Sequence, residues 1–298
     1  MIEISKGRYW DLPWSLVDGC TPCSPGCEHC WAAAIAQRFW HQKGCLTDTQ
    51  TGQFNGKIIT NTHRLDIPLK RRKPTVYAVW NDLFHEAVPP EVIFQTLACI
   101  SLAPRHTFLV LTKRPERMHY ILTSYGGKKD WRDILSKRAF DLFGEEADCF
   151  SANSIEGCLG EVLNVGWPMS NIYHGLTVCN QAEADKKVPV FLQVPGNKFL
   201  SIEPMLGEIK LRNYNSGSSI DAVILGGETG PGARPLHPDW VRSVRDQCQS
   251  AGVKFFFKGW GSKTFETQPD YLHRTEHRVR LGGRLLDGRM HDDLPWRQ

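Results

Sequence analysis

The sequence predicts an α/β fold, a (β/α) barrel or an open part-barrel of about six to seven parallel strands. From residue 75 onward, six short runs of β-branched, aromatic and other apolar residues recur, and helix-like stretches follow most of them. This alternation is typical of a parallel sheet with covered faces. Each run ends in a polar, glycine- or proline-bearing segment. Because active sites in such folds lie at the carboxyl ends of the strands, this placement favours an enzyme.

The elements follow one another in a regular order. A first strand is expected from the N-terminal region, between Ile4 and Trp14. The strand-like runs after it are 75–80, 107–111, 172–178, 198–202, 221–225 and 253–257. Helix-like stretches, recognised by apolar residues at helical spacing, are 90–102, 116–122, 182–187 and 238–251.

Two segments do not fit this alternation. Residues 124–166 combine a Gly-Lys turn with a helix-like stretch and are interpreted as an insertion between the second and third units. Residues 262–298 are polar, contain glycine turns and are expected to form a C-terminal tail packed on the barrel. The predicted organisation is therefore a part-barrel over residues 1–261, with that insertion, followed by the tail.

The composition excludes several classes of protein. The chain has 298 residues, of which 41% are hydrophobic and 23% charged, as is usual for a globular protein. Its N-terminus has no basic start followed by an apolar run, so we expect no secretory signal. No stretch approaches the roughly 20 apolar residues of a membrane helix, and the sequence predicts a cytoplasmic protein without membrane contact. A net charge of +4 permits an anionic partner without requiring one.

Cysteine is unevenly distributed along the chain. Four of the ten cysteines, Cys20, Cys23, Cys27 and Cys30, lie on one short loop. A disulfide framework is disfavoured for a long cytoplasmic chain, and clustered cysteines in that setting indicate a metal. Soft thiolates suit zinc or an iron–sulfur cluster. Structural zinc sites usually take ligand pairs from two separate loops, so the single loop favours the cluster, and the other six cysteines are expected to be core residues.

Two ligand sets are compatible with the spacing. Cys23, Cys27 and Cys30 form C-x3-C-x2-C, whereas Cys20, Cys27 and Cys30 form C-x6-C-x2-C. The first spacing resembles the signature of radical S-adenosylmethionine (SAM) enzymes. In those enzymes three cysteines hold a [4Fe–4S] cluster whose open iron chelates SAM. One electron cleaves SAM to a 5′-deoxyadenosyl radical, which abstracts a hydrogen from the substrate.

Further motifs extend the resemblance over most of residues 14–295. They are GCTPCSPGCEHCWA, NDLFHEAVP, HTFLVLTKRPERM, HGLTVCNQAEAD, FLSIEPMLG, VILGGETGPGARPLHPDWVRSVRDQC, FFFKGWG and LLDGRMHDDLP. In these motifs and their order the chain resembles a phage- and prophage-associated family of unknown function, known for a three-cysteine motif and similar to radical SAM enzymes. The resemblance implies Cys20, Cys27 and Cys30 as ligands, with an apolar residue usual at position 23. Cys23 departs from that pattern and is the rival of Cys20.

Residues at the other strand ends are candidates for holding SAM. Gly226-Gly227-Glu228 resembles the element with which radical SAM enzymes hold the SAM amino group, although it lies on a later strand. Its carboxylate can pair with an ammonium or be a solvated glutamate at a turn. Glu203 suits the SAM ribose or the substrate, or else pairs with Lys113 or Lys258. The predicted cofactor contacts are Gly226, Gly227, Glu228, Glu203, Asn81, Lys113 and Lys258.

Basic and aromatic residues at the same rim are candidates for the substrate. Cationic side chains suit a phosphate or a polynucleotide backbone, and tryptophans at strand ends can stack on a base. The loop before helix 238–251 is rich in glycine and proline, which favours either an anion site or a merely rigid connection. The predicted substrate contacts are Arg114, Trp80, Arg234, His237 and Trp260.

Two functions compete on this reading. The first is a radical SAM-like enzyme with a [4Fe–4S] cluster, SAM and an external electron donor, acting on nucleic acid or a nucleotide in DNA modification or repair. The second is a non-catalytic phage protein, stabilised by zinc or a cluster, that binds nucleic acid. The oligomeric state is left open by both.

Overall fold

Seven parallel strands of this computed structural model form one sheet, which curls into a half-barrel covered by helices. The structure describes residues 7–39, 41–124, 133–134, 137–138, 167–211, 220–263, 274–275, 278–279 and 283–297. The strands are β1 Leu12–Trp14, β2 Val17–Asp18, β3 Ile59–Thr60, β4 Val76–Val79, β5 Thr107–Thr112, β6 Ile172–Thr177, β7 Asn197–Ile202, β8 Ala222–Gly226, β9 Lys254–Gly259, β10 Arg274–Thr275 and β11 Arg278–Val279. The order in the sheet is β1-β4-β5-β6-β7-β8-β9, while β2–β3 and β10–β11 are separate antiparallel pairs.

The helices are α1 Trp31–Ala36, α2 Ile67–Lys70, α3 Pro90–Ser101, α4 Pro115–Ser124, α5 Gln181–Phe191 and α6 Pro238–Ala251. Local sequence explains the ends of the last two. The Asn180 side chain accepts a hydrogen bond from Glu183 N at the start of α5, an N-cap that satisfies a free amide. Helix α6 begins with Pro238 and ends at Gly252, whose left-handed φ of 69° suits glycine.

The open part-barrel predicted from the sequence is confirmed. Consecutive strands are neighbours in the sheet, so each crossover helix returns the chain to the next position in the same direction. Most bounds differ from the expectation by one or two residues, and two elements differ more. The first strand is confined to Leu12–Trp14, and α5 continues past the expected end at residue 187 to Phe191, with Pro189 inside the helix.

Two apolar clusters lie on the two faces of the sheet. The larger joins the helices to one face, with Leu97 of α3, Met118 of α4, Val188 of α5 and Val244 of α6 among its fully buried members. The smaller lies on the inner face and joins strand residues to Tyr9, just before β1, and to Leu294 of the C-terminal segment. Its members are Tyr9, Val76, Leu109, Phe199, Ala222, Ile224, Phe256 and Leu294.

The C-terminal segment 283–297 lies against the edge and the inner face of the sheet. Phe257 N donates to His291 O at 2.9 Å, and Asp293 N donates to Phe255 O at 3.2 Å, which pairs the otherwise open edge of β9. Trp296 then packs edge-on against Tyr173 and Phe199.

Two segments of the predicted organisation lie partly outside the residues that the structure describes. Most of the expected insertion at 124–166 lies outside the described residues, and so does much of the tail between 264 and 282. Within the part of the chain that the structure covers, no helix has the length and apolar character to cross a bilayer.

Candidate cofactor site at the carboxyl edge of the sheet

The parallel sheet brings the polar strand ends together at one edge. The cysteine loop follows β1 and β2, Asn81 follows β4, and Lys113 follows β5. Glu203 follows β7, and Gly227 follows β8. Since all seven strands run in one direction, these residues share the carboxyl edge, where ligands bind in open α/β sheets.

The cysteine loop has a defined local structure. Ser24 caps a 3-10 turn at Pro25–Cys27, and its Oγ accepts a hydrogen bond from Gly26 N at 3.2 Å. Gly26 is required by close packing, because a Cβ at that position would lie 2.4 Å from Cys179 Sγ. The loop is therefore seated directly on the end of β6, where Cys179 lies.

The thiols of the loop interact with one another and with one lysine. A hydrogen bond from Cys23, together with the nearby charge of Lys113, lowers the pKa of Cys27 to about 5 against the opposing effect of burial. The same hydrogen bond raises the pKa of Cys23. Burial alone would lower the pKa of Lys113, but the charges of four surrounding cysteines raise it overall. These cysteines are Cys27, Cys179, Cys30 and Cys23.

Cys179 is a site residue that sequence reasoning missed. It was placed among the six cysteines expected to serve only as core residues, yet its Sγ lies 3.7 Å from Ser24 Oγ of the cysteine loop. Burial raises the pKa of Cys179 to about 11, and burial likewise raises that of Cys20 to about 11. The available signal was its position just after a strand, which it shares with the other residues of this edge.

Arg114 fastens the first half of the cysteine loop to the sheet. Its guanidinium donates to Asp82 Oδ2 at 2.8 Å, to Glu86 Oε2 at 2.7 Å and to Thr21 O at 3.1 Å. The side chain is only 8% exposed. All three of its nitrogens have acceptors within the protein, so the predicted substrate contact would require it to give up one of these bonds.

His85 holds the same part of the loop. Its Nδ1 accepts a hydrogen bond from Ala87 N, which leaves the proton on Nε2. Nε2 lies 2.8 Å from Thr21 Oγ1 and donates to it. Burial lowers the pKa of His85, which favours this neutral form. The contact with Thr21 gives this histidine an anchoring role in the loop.

Arg234 fastens the second half of the loop. It donates to Pro25 O at 3.0 Å and to Glu28 Oε2 at 2.8 Å, and it forms a two-pronged contact with buried Glu228. His29 Nδ1 donates to the same carboxylate at 2.9 Å. Burial would raise the pKa of Glu228, but the hydrogen bonds from Arg234 and His29 lower it. Most of the acceptor capacity of Glu228 is thus used inside the protein, which leaves little for a SAM ammonium.

Different structural requirements explain why the two positions before Glu228 are occupied by glycine. A Cβ on Gly227 would lie 2.0 Å from Trp260 O, so this position is needed for close approach of two backbones. A Cβ on Gly226 would lie 3.1 Å from Glu203 Oε1 and 3.3 Å from Lys258 Cβ. Gly226 therefore leaves space beside the pair of charged residues at the mouth of the half-barrel.

Glu203 and Lys258 form that pair. Lys258 Nζ lies 3.1 Å from Glu203 Oε1 and forms an ion pair with it. Tyr9 Oη donates to Glu203 Oε2 at 3.4 Å. Burial and the charge of Glu203 raise the pKa of Tyr9. The pairing with Lys258 is one of the two arrangements that the sequence left open, and Lys113 instead faces the thiols.

The remaining predicted contacts occupy varied positions. Asn81 has a left-handed φ of 60°, uncommon outside glycine, and its side-chain amide donates to Val17 O. Trp80 is half-buried, whereas Trp260 is buried and its indole N–H donates to Leu285 O. His237 caps α6 by accepting from Asp239 N.

The donor chemistry of the loop fits a thiolate-bound metal or cluster. Four sulfur donors lie on one loop, and the pKa of Cys20 is raised by burial and, to a smaller extent, by nearby charges that include those of Cys27 and Cys30. Within the described ranges, no three or more His, Cys, Asp or Glu side chains are arranged as a metal site. Binding would therefore have to draw the thiols together and displace their protons.

Comparisons with known proteins give a family and nothing more specific. A family model described as "Protein of unknown function (DUF5131)" matches residues 5–295. No curated protein and no solved structure matches the chain.

Proposed function

The chain belongs to the DUF5131 family, and we propose that it is a radical SAM-like iron–sulfur enzyme. The observation that carries the proposal is the cysteine loop at the carboxyl edge of an α/β half-barrel, with Lys113 beside its thiols. Arg114 and Arg234 donate to backbone carbonyl groups in the two halves of the loop. The loop backbone is therefore held in place, while the cysteine side chains would still adjust to a bound ligand. Such a rigid frame around an adaptable donor set suits a resident cofactor.

Cys20, Cys27 and Cys30 would hold a [4Fe–4S] cluster, with Cys23 the alternative to Cys20. When bound, the cluster supplies the electron that cleaves SAM, with an external donor restoring it. The chain's own residues would orient SAM: Lys113 and Lys258 would provide cations for its carboxylate, and the Glu203 carboxylate, paired with Lys258, would accept a further hydrogen bond from a hydroxyl group. Gly226 keeps the space beside Glu203 open.

The substrate class and setting are part of the proposal. We propose nucleic acid or a nucleotide as substrate, in DNA modification or repair, because half-buried Trp80 stands at the same edge as the cysteine loop. The phage association is carried by the resemblance of the motifs alone.

Anaerobic reconstitution with iron and sulfide tests the cofactor. We expect a brown protein with absorbance at about 400 nm that, after chemical reduction, converts SAM to 5′-deoxyadenosine. The measurements are iron and sulfide per chain and the nucleoside released, quantified by chromatography. A colourless protein that retains one zinc and leaves SAM intact after reduction would overturn the proposal.

A matched pair of cysteine variants tests the ligand assignment. Cys30→Ala should abolish iron binding, because this cysteine belongs to both possible ligand sets. Cys99→Ala is the control, since Cys99 is fully buried in the helix-side core and belongs to neither set. Iron and sulfide are measured after reconstitution, and retained iron in the Cys30 variant would refute the assignment. Cys20→Ala beside Cys23→Ala then identifies the third ligand by the same measurement.

The second candidate is a non-catalytic nucleic-acid-binding protein stabilised by zinc or a closed cluster. It is favoured by the number of thiols, since Cys23 is hydrogen-bonded to Cys27 and Cys179 contacts the loop. Four thiolates would complete a tetrahedral zinc site or leave no open iron for SAM. Metal analysis of protein expressed with both metals present, combined with the assay of SAM cleavage after reduction, separates the two, because only the first candidate yields an iron protein that cleaves SAM.

A further inference from the structure

Three tryptophans and an arginine form a continuous ladder at the mouth of the half-barrel. The ring centroids of Trp10 and Trp80 are 5.9 Å apart and those of Trp80 and Trp31 are 5.2 Å apart, both edge to face. The guanidinium of Arg8 lies 4.6 Å above the Trp10 ring. Edge-to-face contact is a favourable aromatic geometry, so the ladder is a stable structure.

The outer end of the ladder is open to solvent. Trp31 is 49% exposed, although burial of so large an aromatic ring would stabilise the fold. Arg8 is exposed at the other end, and Trp10 and Trp80 are half-buried between them. An exposed aromatic face joined to a cation has the two features of surfaces that hold single-stranded nucleic acid, where bases stack on rings and phosphates pair with cations.

The ladder is tied to the candidate cofactor site by the chain itself. Trp31 directly follows Cys30, and Trp80 directly precedes Asn81 at the end of β4. Trp80 N also donates to Trp14 O of β1. A flat ring resting on Trp31 would therefore lie beside the cysteine loop, the place where a substrate of this site must be held.

We infer that the ladder Arg8–Trp10–Trp80–Trp31 is a stacking platform for an unpaired base of single-stranded nucleic acid. The role of the platform in holding a substrate rests on the proposed function. The binding of nucleic acid itself requires neither a cluster nor SAM. Trp31 is the exposed ring on which the base would rest, and Arg8 provides the cation that would attract the phosphates of the bound strand.

The test uses the full chain without cluster or SAM and measures fluorescence anisotropy of a labelled oligothymidylate at fixed ionic strength. An abasic oligonucleotide of the same length provides the phosphates without the bases. Wild type should bind oligothymidylate at least about fivefold more tightly than the abasic strand, and Trp31→Ala should remove that difference. Phe39→Ala is the control, because Phe39 is 48% exposed and contacts His41 rather than the ladder.

Two further measurements complete the test. Arg8→Gln should lower the slope of log Kd against log salt by about 0.7, the loss of one phosphate contact on a single strand. Circular dichroism confirms that each variant is folded.

Equal binding of both oligonucleotides by wild type, or unchanged preference in Trp31→Ala, would overturn the inference. Displacement of the strand by equimolar SAM would also overturn it, because the platform would then serve the cofactor. Failure of SAM cleavage in the separate reconstitution assay would contradict the proposed enzyme function but would not affect this binding result.

Discussion

Single residues decide how firmly the cysteine loop is held. Arg114 and Arg234 look alike in the sequence, each following a strand end, and both donate to backbone carbonyls of the loop as well as to buried carboxylates. Both were predicted to meet substrate. The guanidinium has several donors in a fixed plane, so one side chain can satisfy a carboxylate and a carbonyl together, and here that capacity is used within the protein.

Arg114→Met should therefore destabilise the fold strongly. Asp82, with 8% of its side chain exposed, would lose its cationic partner, and a charge left unpaired in the interior costs about 3–5 kcal/mol. Urea unfolding followed by circular dichroism measures the change. Arg242→Met is the matched control, because the pair of Arg242 with Asp287 is on the surface, with 41% of the arginine side chain exposed. A loss within about 1 kcal/mol is expected there. Equal losses in the two variants would contradict the stabilising role given to Arg114.

His174 carries a different residue-scale prediction. It lies fully buried in β6, neither ring nitrogen has a hydrogen-bond partner among the described residues, and burial lowers its pKa from 6.5 to about 3. Below pH 6.5, His174 binds a proton in the unfolded chain but stays neutral in the folded protein until the pH approaches 3. The titration of His174 therefore takes nothing from the free energy of unfolding above pH 6.5. As the pH drops from 6.5 toward 3, it lowers that free energy by up to about 1.4 kcal/mol per pH unit.

His174→Leu should flatten this dependence and raise the free energy of unfolding at neutral pH by about 1–3 kcal/mol, because two unsatisfied nitrogens leave the core. Urea unfolding at several pH values between 4 and 8 measures both effects. Burial also lowers the pKa of His85, His106 and His291. These remain in both proteins, so the difference between the curves isolates His174. Parallel curves for variant and wild type would refute the prediction.

At the scale of elements, the decisive contact is between the cysteine loop and the end of β6. The sequence indicates both elements, but a distance of 155 residues separates Ser24 from Cys179 along the chain. Nothing local in either stretch specifies that they touch. The contact exists because β6 is the fourth strand of a sheet that begins with β1, and the half-barrel curls so that its carboxyl ends converge.

Gly26→Ala tests that contact. The added Cβ would lie 2.4 Å from Cys179 Sγ and 3.1 Å from Pro204 Cδ, so loop and strand end must move apart. We expect a lower iron content after reconstitution and faster reaction of Cys179 with a thiol reagent. Gly207→Ala is the control, because its Cβ would have only an ordinary contact, 3.6 Å from Asn180 Cβ. Identical iron content in both variants would show that the seating of the loop does not matter.

At the scale of the whole molecule, the segment just before β1 and the C-terminal segment 283–297 meet on the inner face of the half-barrel. Trp296 Nε1 donates to Tyr9 O at 3.0 Å, and Arg297 pairs with Asp11. Leu294 is 3% exposed and packs with Tyr9 and strand residues. An open half-barrel leaves an apolar inner face and a free strand edge, and the C-terminal segment covers both.

Leu294→Ala should lower the free energy of unfolding by about 2–5 kcal/mol, the usual cost of removing a buried leucine side chain. Asp293→Ala provides the control, because its side chain is exposed and its backbone bond to Phe255 is unaffected; a change within about 0.5 kcal/mol is expected. Chemical denaturation measures both. A negligible effect of Leu294→Ala would mean that the segment is not part of the folded core.

The sequence by itself determined the strand and helix order, because apolar periodicity and turn residues are local properties. It also identified the four clustered cysteines and the polar strand ends of the candidate site. Only the tertiary structure decided what those residues touch: Arg114 and Arg234 hold the loop, Glu228 is enclosed by Arg234 and His29, and Cys179 joins the site. The physical reason is that pairing and burial depend on residues far apart in sequence, which become neighbours only when the sheet curls.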